Sequence, residues 1–272
     1  MDVHCPIDEQ SPAGNQVTTG SGNGGTPALS VVIPAYNEAT RIGATLHALA
    51  AVTAGDDVEV VVVDDGSTDG TAVVAEELLD FSGHRQVLRL ERNQGKGAAV
   101  RAGVLAARGD AILYMDADLA TDLEALPRFL AELADADVIV GSRSVPGSEV
   151  RRGTRDRAAM GRAFNRLSRL STGVHIHDTQ CGFKAFRGPA ARTLFGLARC
   201  DRFAFDVEIL MLAERLGLRI VERPVTWTAV DGSSVRRVSD SARAAFDVLR
   251  IALRWTPGRV RRAAAAHAAS DT

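Results

Sequence analysis

The chain has 272 residues, 46% of them apolar and 24% charged, with a formal net charge of −2; this fits one large domain or two small ones and excludes a wholly disordered chain. The near-neutral total hides an acidic half, residues 1–150 with 9 basic and 23 acidic side chains, joined to a basic half, residues 151–272 with 23 and 11. Cys5, Cys181 and Cys200 include no C-x-x-C pair, which excludes a disulfide framework and a zinc knuckle.

Residues 1–27 are rich in Gly, Ser, Thr, Asn and Pro and read as a flexible tail without the basic-then-apolar order of a signal peptide. LSVVIP (29–34) is a short apolar run that reads as a buried strand, followed by a helix from Glu38 to about Ala51. VEVVVVDD (58–65) is a second buried strand, with a helix from about Asp69. The alternation continues with a strand at 86–91, a helix at 97–108, a strand at 111–115, a helix at 122–134 and a strand at 137–140. This β/α spacing predicts an α/β fold, a mostly parallel sheet covered by helices on both faces. Further on, the pattern gives strands at 180–187 and 218–222, a helix at 205–215, and two basic amphipathic helices at 156–171 and 240–255. In the first amphipathic helix Met160, Phe164, Leu167 and Leu170 share a face; in the second Phe246, Leu249 and Leu253 do. Residues after Pro257 read as a second, basic flexible tail. No run approaches the roughly 18–20 apolar residues of a membrane span.

Ligands bind beyond the carboxyl ends of the strands in such sheets, and the polar clusters lie there: PAYNE, DDGSTDGT, ERNQGKG, DADL and GSR. Two carboxylates in D-A-D (116–118) suit a hard divalent cation that also bridges to phosphate. In DDGSTDGT, Gly66 and Ser67 suit a tight turn and Asp69 a helix cap. Asp64 and Asp65 remain, and a carboxylate there can accept from a base N–H or from ribose hydroxyls. The phosphate-cradling G-x-x-x-x-G-K-[ST] and a G-x-G-x-x-G after the first strand are both absent. Thirty of the 32 basic residues are Arg, and the two lysines are Lys96 and Lys184; so strong a bias is either chance or keeps Lys where a compact point charge is wanted. His175 and His177 alternate on one face of an extended segment but have no third nearby ligand.

VVIPAYNE, VVVDDGSTDGT, NQGKGAAVRAG, YMDADL and GSR, in this order, resemble the nucleotide-sugar glycosyltransferases of family 2, which have the Rossmann-like GT-A fold. The resemblance spans about residues 29–255. DTQCGFKAFR (178–187), RFAFDVEIL (202–210) and ERPVTWTAVDGSSV (222–235) resemble the dolichyl-phosphate β-glucosyltransferase branch, to which the polyprenyl-phosphate mannose synthases are close. It implies one GT-A domain over residues 28–256, with a nucleotide-sugar half (28–145) and an acceptor-side half (146–256).

By the same resemblance, Pro34, Ala35, Tyr36, Glu38 and Asp65 hold the nucleoside, and Asn93, Gly95 and Lys96 lie beside the donor. Asp116 and Asp118, with Ala117 between them, hold Mg²⁺ or Mn²⁺ on the diphosphate. Arg143 meets the acceptor phosphate or the donor diphosphate, and Asp178, Gln180 and Lys184 face the sugar and acceptor. The implied catalytic set is Asp118, Arg143, Asp178 and Lys184. The implied reaction is an inverting transfer of a hexose, glucose from UDP-glucose, to a polyprenyl or dolichyl monophosphate. A phosphate nucleophile is already ionised near neutral pH, with a second pKa of about 6, and needs no strong base. The alternatives are transfer of mannose from GDP-mannose, and a soluble hydroxyl acceptor for which Asp178 would be the base. Many relatives in this branch have an N-terminal membrane anchor, whereas residues 1–27 here are hydrophilic. A lipid acceptor then calls for a cytoplasmic protein held peripherally on the membrane face, with the Arg-rich helices on anionic headgroups; the bland alternative packs both helices on the sheet with Arg in solvent. Nucleic acid is not an expected partner, since aromatic residues make up only 5% and leave no stacking platform.

Overall fold

The computed structural model describes residues 16–20, 25–152, 154–230 and 237–270. The strands are β1 (Gln16–Gly20), β2 (Leu29–Ala35), β3 (Val58–Asp64), β4 (His84–Arg89), β5 (Ala111–Met115), β6 (Val138–Ser142), β7 (Glu149–Arg151), β8 (Phe183–Arg187), β9 (Ile220–Pro224) and β10 (Thr226–Thr228). The α-helices are α1 (Ile42–Val52), α2 (Thr71–Leu78), α3 (Lys96–Ala106), α4 (Leu126–Glu132), α5 (Arg155–Thr172), α6 (Gly188–Leu197), α7 (Phe205–Arg215), α8 (Arg237–Arg254) and α9 (Pro257–Ser270).

Eight strands form one sheet in the order β1-β4-β3-β2-β5-β8-β6-β9. The sheet is parallel except for β1, antiparallel to β4, and β8, antiparallel to both β5 and β6. The unbroken apolar runs of β2 and β3 follow from burial on both faces. Val31, Ile33, Val60 and Val62 pack with α1, α2 and α4, while Val32, Val61 and Val63 pack with α3, α6 and α7. The alternation of side chains along a strand divides them this way. A separate parallel pair, β7 with β10, is joined by the Thr121–Trp227 bridge to the chain that leaves β5.

Two expectations are corrected. Residues 16–20, within the expected N-terminal tail, form β1, in register from Gln16↔Arg89 to Gly20↔Arg85. Val17, Thr18 and Thr19 are β-branched, and an edge strand gains backbone hydrogen bonds without a large apolar face. Second, residues 257–270 form α9 in place of a fraying tail. Pro257 starts this helix, as its fixed φ favours, its alanines propagate it, and Val260 is fully buried in the same core as Trp255. On α8, Ala244, Val248 and Ile251, followed by Trp255, face the core, whereas Phe246, Leu249 and Leu253 are exposed. The helix carries two apolar stripes, and the one read from the sequence is the outward one. On α5, which packs against α8, Met160 and Leu170 are exposed too. Residues 231–235 of the ERPVTWTAVDGSSV segment lie outside the described residues. Among the described residues no helix is long and apolar enough to cross a membrane.

Candidate active site

A cleft of about 330 Å³ opens at the carboxyl ends of β2, β3 and β5. Pro34, Ala35, Tyr36 and Glu38 line it from the end of β2, Asp65 from β3, Asn93, Gly95 and Lys96 from the loop into α3, and Asp116, Ala117 and Asp118 from β5. The structure therefore gathers eleven of the residues singled out in the sequence into one wall. Arg41, Ala99 and Phe203 complete it and were not singled out; Arg41 pairs with Glu38 at 2.6 Å, a spacing of three residues that offered a helical signal.

The loops after β2 and β3 are stitched together. Ser67 N donates to Asp64 Oδ1 at 2.9 Å, which closes the turn. Thr71 N and Ala39 N both donate to Asp69, at 3.1 and 3.0 Å. Thr68 N donates to Asn37 Oδ1 at 2.9 Å, with Asn37 held at φ 54°. Asp65 is occupied differently. Its two oxygens accept from Gln94 N at 2.7 Å and Gly95 N at 2.9 Å, so it clamps the NQGKG loop. Burial pushes its carboxyl up while those two amides hold it down, and burial wins. Two carboxylate oxygens offer about four lone-pair sites, so Asp65 retains capacity toward the cleft. Gly95 lies at φ 108°, where a side chain would also meet the Asp201 carbonyl.

Asp116 is seated on Gly182. Its N–H donates to the Gly182 carbonyl at 3.1 Å, and a Cβ at Gly182 would overlap the Asp116 carboxylate. The sequence reading passed over this glycine, although it stands in the CGFK segment. Lys96 Nζ lies 2.6 Å from Asp116 Oδ1. Burial works to lower the Lys96 ammonium's pKa, but the Asp116 and Asp206 charges and the hydrogen bond to Asp116 raise it overall. Asp118 Oδ1 accepts from Ala120 N at 3.1 Å, and burial, then repulsion from Asp116, pushes its carboxyl up. Among the described residues no group of three or more His, Cys, Asp or Glu side chains could hold a metal ion. Two hard oxygen donors at the lip of a cleft nonetheless fit a cation that takes its other ligands from a bound diphosphate and water. Gly182→Ala is expected to push Asp116 aside: overpacking of this kind costs about 1–3 kcal/mol, read as a lower urea midpoint together with weaker Mn²⁺ binding.

The acceptor-side residues are placed differently. Arg143 follows β6, and its Nε and Nη2 bind Asp178 at 2.7 and 2.9 Å while its backbone N–H adds a third bond at 2.9 Å. Its guanidinium carbon lies 5.3 Å from the centre of the Trp227 ring. Burial acts to raise the Asp178 pKa, but Arg143 wins and holds the carboxyl below the usual range. A buried carboxylate so engaged is a poor general base. Gln180 donates to the Phe203 carbonyl at 3.2 Å, which ties it to the cleft's far wall.

Lys184 is corrected. It is fully buried, 2.5 Å from Asp206 Oδ1 and 2.6 Å from the Cys181 carbonyl, and Tyr114 donates to the same Asp206 oxygen. Its position within β8 turns it into the core, and it does not line the cleft. Both lysines prove to be paired with carboxylates. His177 and His175 lie beside separate carboxylates, Glu222 at 2.9 Å and Glu214 at 3.4 Å.

A family model described as "Glycosyl transferase family 2" matches residues 30–195. The chain is 36% identical over 246 residues to a protein of Dictyostelium discoideum named dolichyl-phosphate beta-glucosyltransferase, covering 85% of this chain and 75% of that one. It is 41% identical over 224 residues to the Drosophila melanogaster protein of the same name, covering 76% and 69%. Among solved structures it is similar to glucosyl-3-phosphoglycerate synthase from Mycobacterium tuberculosis in complex with Mn²⁺, UDP-glucose and phosphoglyceric acid. That match has a TM-score of 0.63 at 22% identity, covers 83% and 79% of the two chains, and shows the GT-A fold.

Proposed function

The chain belongs to glycosyltransferase family 2, and from that premise we propose that it transfers glucose from UDP-glucose, with inversion, to a polyprenyl or dolichyl monophosphate. The names of its relatives supply the sugar and the acceptor class. The observation that carries the reading is the state of Asp178: the carboxylate expected from the sequence to serve an acceptor hydroxyl is consumed by Arg143. A nucleophile that arrives ionised needs no such base, and a phosphate monoester does so near neutral pH. Its oxygen attacks the anomeric carbon as the bond from that carbon to the diphosphate breaks. Asp65 and the PAYNE residues hold the nucleoside, Asn93, Gly95 and Lys96 flank the diphosphate, and Asp116 and Asp118 would hold Mg²⁺ or Mn²⁺. The cation supplies neutralisation of the charge on the leaving diphosphate. Asp178 and Trp227 fix Arg143, whose Nη1 remains to position the acceptor phosphate; Gln180 stands between this pair and the cleft wall.

We assign the outward faces of α5 and α8 to peripheral contact with the cytoplasmic face of a membrane. Leu170 and Leu253 are each 76% exposed and Phe246 61%, flanked by exposed Arg162, Arg166, Arg169, Arg243, Arg250 and Arg254. Apolar side chains projecting among cations suit an anionic interface. Asn165, on the buried side of α5, accepts from Thr179 N and Oγ1, so the helix itself is tied to the Asp178–Gln180 turn.

One assay tests both statements: transfer from UDP-glucose and GDP-mannose to a polyprenyl phosphate, presented in phosphatidylglycerol vesicles or as a short soluble analogue, or to a soluble sugar hydroxyl. Transfer from UDP-glucose to both phosphates is expected. Leu249→Glu with Leu253→Glu is expected to lower vesicle transfer about 10-fold and to spare the soluble analogue. Preference for GDP-mannose or the hydroxyl overturns the donor or acceptor; equal vesicle activity in the variant overturns the membrane face.

A further inference from the structure

Lys96 sits where a cation is wanted. Its ammonium lies 2.6 Å from Asp116 Oδ1, in the wall of the cleft. Asp116 cannot withdraw, because its carboxylate rests on Gly182 and its N–H is bonded to the Gly182 carbonyl. The backbone of Lys96 cannot withdraw either. Asp65 holds Gly95 N, and Gly97 packs so closely on the Cys200 carbonyl and Phe205 Cβ that a Cβ there would overlap them. Only the lysine side chain is free to move, and its four-carbon stem rotates readily. Behind it, Asp206 Oδ1 already accepts from Lys184 and Tyr114, so that carboxylate is shared before Lys96 moves.

We propose that Lys96 is a resident counter-ion on Asp116, which it gives up to the incoming divalent cation by swinging onto the diphosphate. The proposal rests on the donor reading above and adds an exchange to it. An approaching cation on its own meets one carboxylate already neutralised and would take from Lys96 its direct carboxylate contact. A diphosphate on its own must draw Lys96 away from Asp116. When the two ligands enter together, each charge finds a partner. Metal and nucleotide are therefore positively coupled, and by reciprocity each strengthens the other by the same factor. The exchange keeps Asp116 paired at every stage, which avoids a bare carboxylate in a half-buried site.

The chain's two lysines make the exchange observable. Full-length protein labelled with ¹³Cε-lysine gives two side-chain signals, and Lys96→Met identifies one of them. Adding Mg²⁺ with UDP is expected to shift the Lys96 signal and leave Lys184 unmoved; high Mg²⁺ alone is expected to shift it in the same protein. In parallel, free Mn²⁺ is measured by electron paramagnetic resonance. UDP is expected to tighten Mn²⁺ binding about 10-fold or more in the wild-type protein. Lys96→Met is expected to bind Mn²⁺ alone about 10-fold tighter than wild type and to lose most of the coupling to UDP. A Lys96 signal that stays put on adding Mg²⁺, with or without UDP, overturns the proposal. So does a variant whose Mn²⁺ affinity rises equally with and without UDP, which is the signature of a lysine that repels the metal without leaving. If UDP binds neither protein, the donor reading fails, while the signal in Mg²⁺ alone still decides the exchange.

Discussion

Asp118→Ala is expected to lower metal-dependent transfer by about 10³-fold or more, the scale of losing a group that stabilises charge on the leaving diphosphate. Asp118 and Asp116 line the cleft just beyond the end of β5, and Asp116 is already shared with Lys96. The fold should not suffer. Burial and repulsion from Asp116 raise the Asp118 pKa above its unfolded value, so at neutral pH its ionised form costs the folded state, and the side chain's removal relieves that cost. The expected result is a collapsed turnover in Mg²⁺ or Mn²⁺ with an unchanged or slightly higher melting temperature. Unchanged turnover would remove Asp118 from the site.

Lys184→Met is expected to cost about 3–5 kcal/mol, the penalty for stranding a buried partner charge. Asp206 would retain only the Tyr114 hydroxyl, at a depth where water cannot replace the ammonium. Urea denaturation measures the loss. Combining Lys184→Met with Asp206→Leu should recover part of it, since replacing both members of a buried pair by apolar groups is often neutral, the remainder being the Tyr114 hydroxyl left without its acceptor. A Lys184→Met protein of nearly wild-type stability that has lost transfer would show instead that Lys184 reaches the acceptor.

What the sequence disclosed depended on whether a residue's role was local. β2, β3 and β5 were legible because strands buried on both faces need unbroken apolar runs, and the turn and cap roles of Gly66, Ser67 and Asp69 are settled within a few residues. The cleft residues were legible because they end those strands. Lys184 was not, because its partner is 22 positions away on α7 and nothing local distinguishes a core-facing lysine from a site lysine. The outward turn of α8 was hidden for a related reason: two apolar stripes on one helix leave the periodicity without a preferred inward side, and packing of Trp255 against Glu208 chose between them. Gly182 was missed because its importance is the volume that Asp116 occupies.

The antiparallel β8 has a consequence for how the molecule comes into being. β5 and β6 do not pair with each other; β8, from beyond residue 180, lies between them and brings Gly182 under Asp116. During synthesis the acidic portion emerges first, with its signature aspartates, but their seat is missing until the chain reaches β8 and threads it into the gap. Such a pairing is of high contact order and is made late. A fragment ending near residue 145 would carry Asp116 and Asp118 without Gly182 beneath them, so the geometry of this corner is set only once β8 is in place.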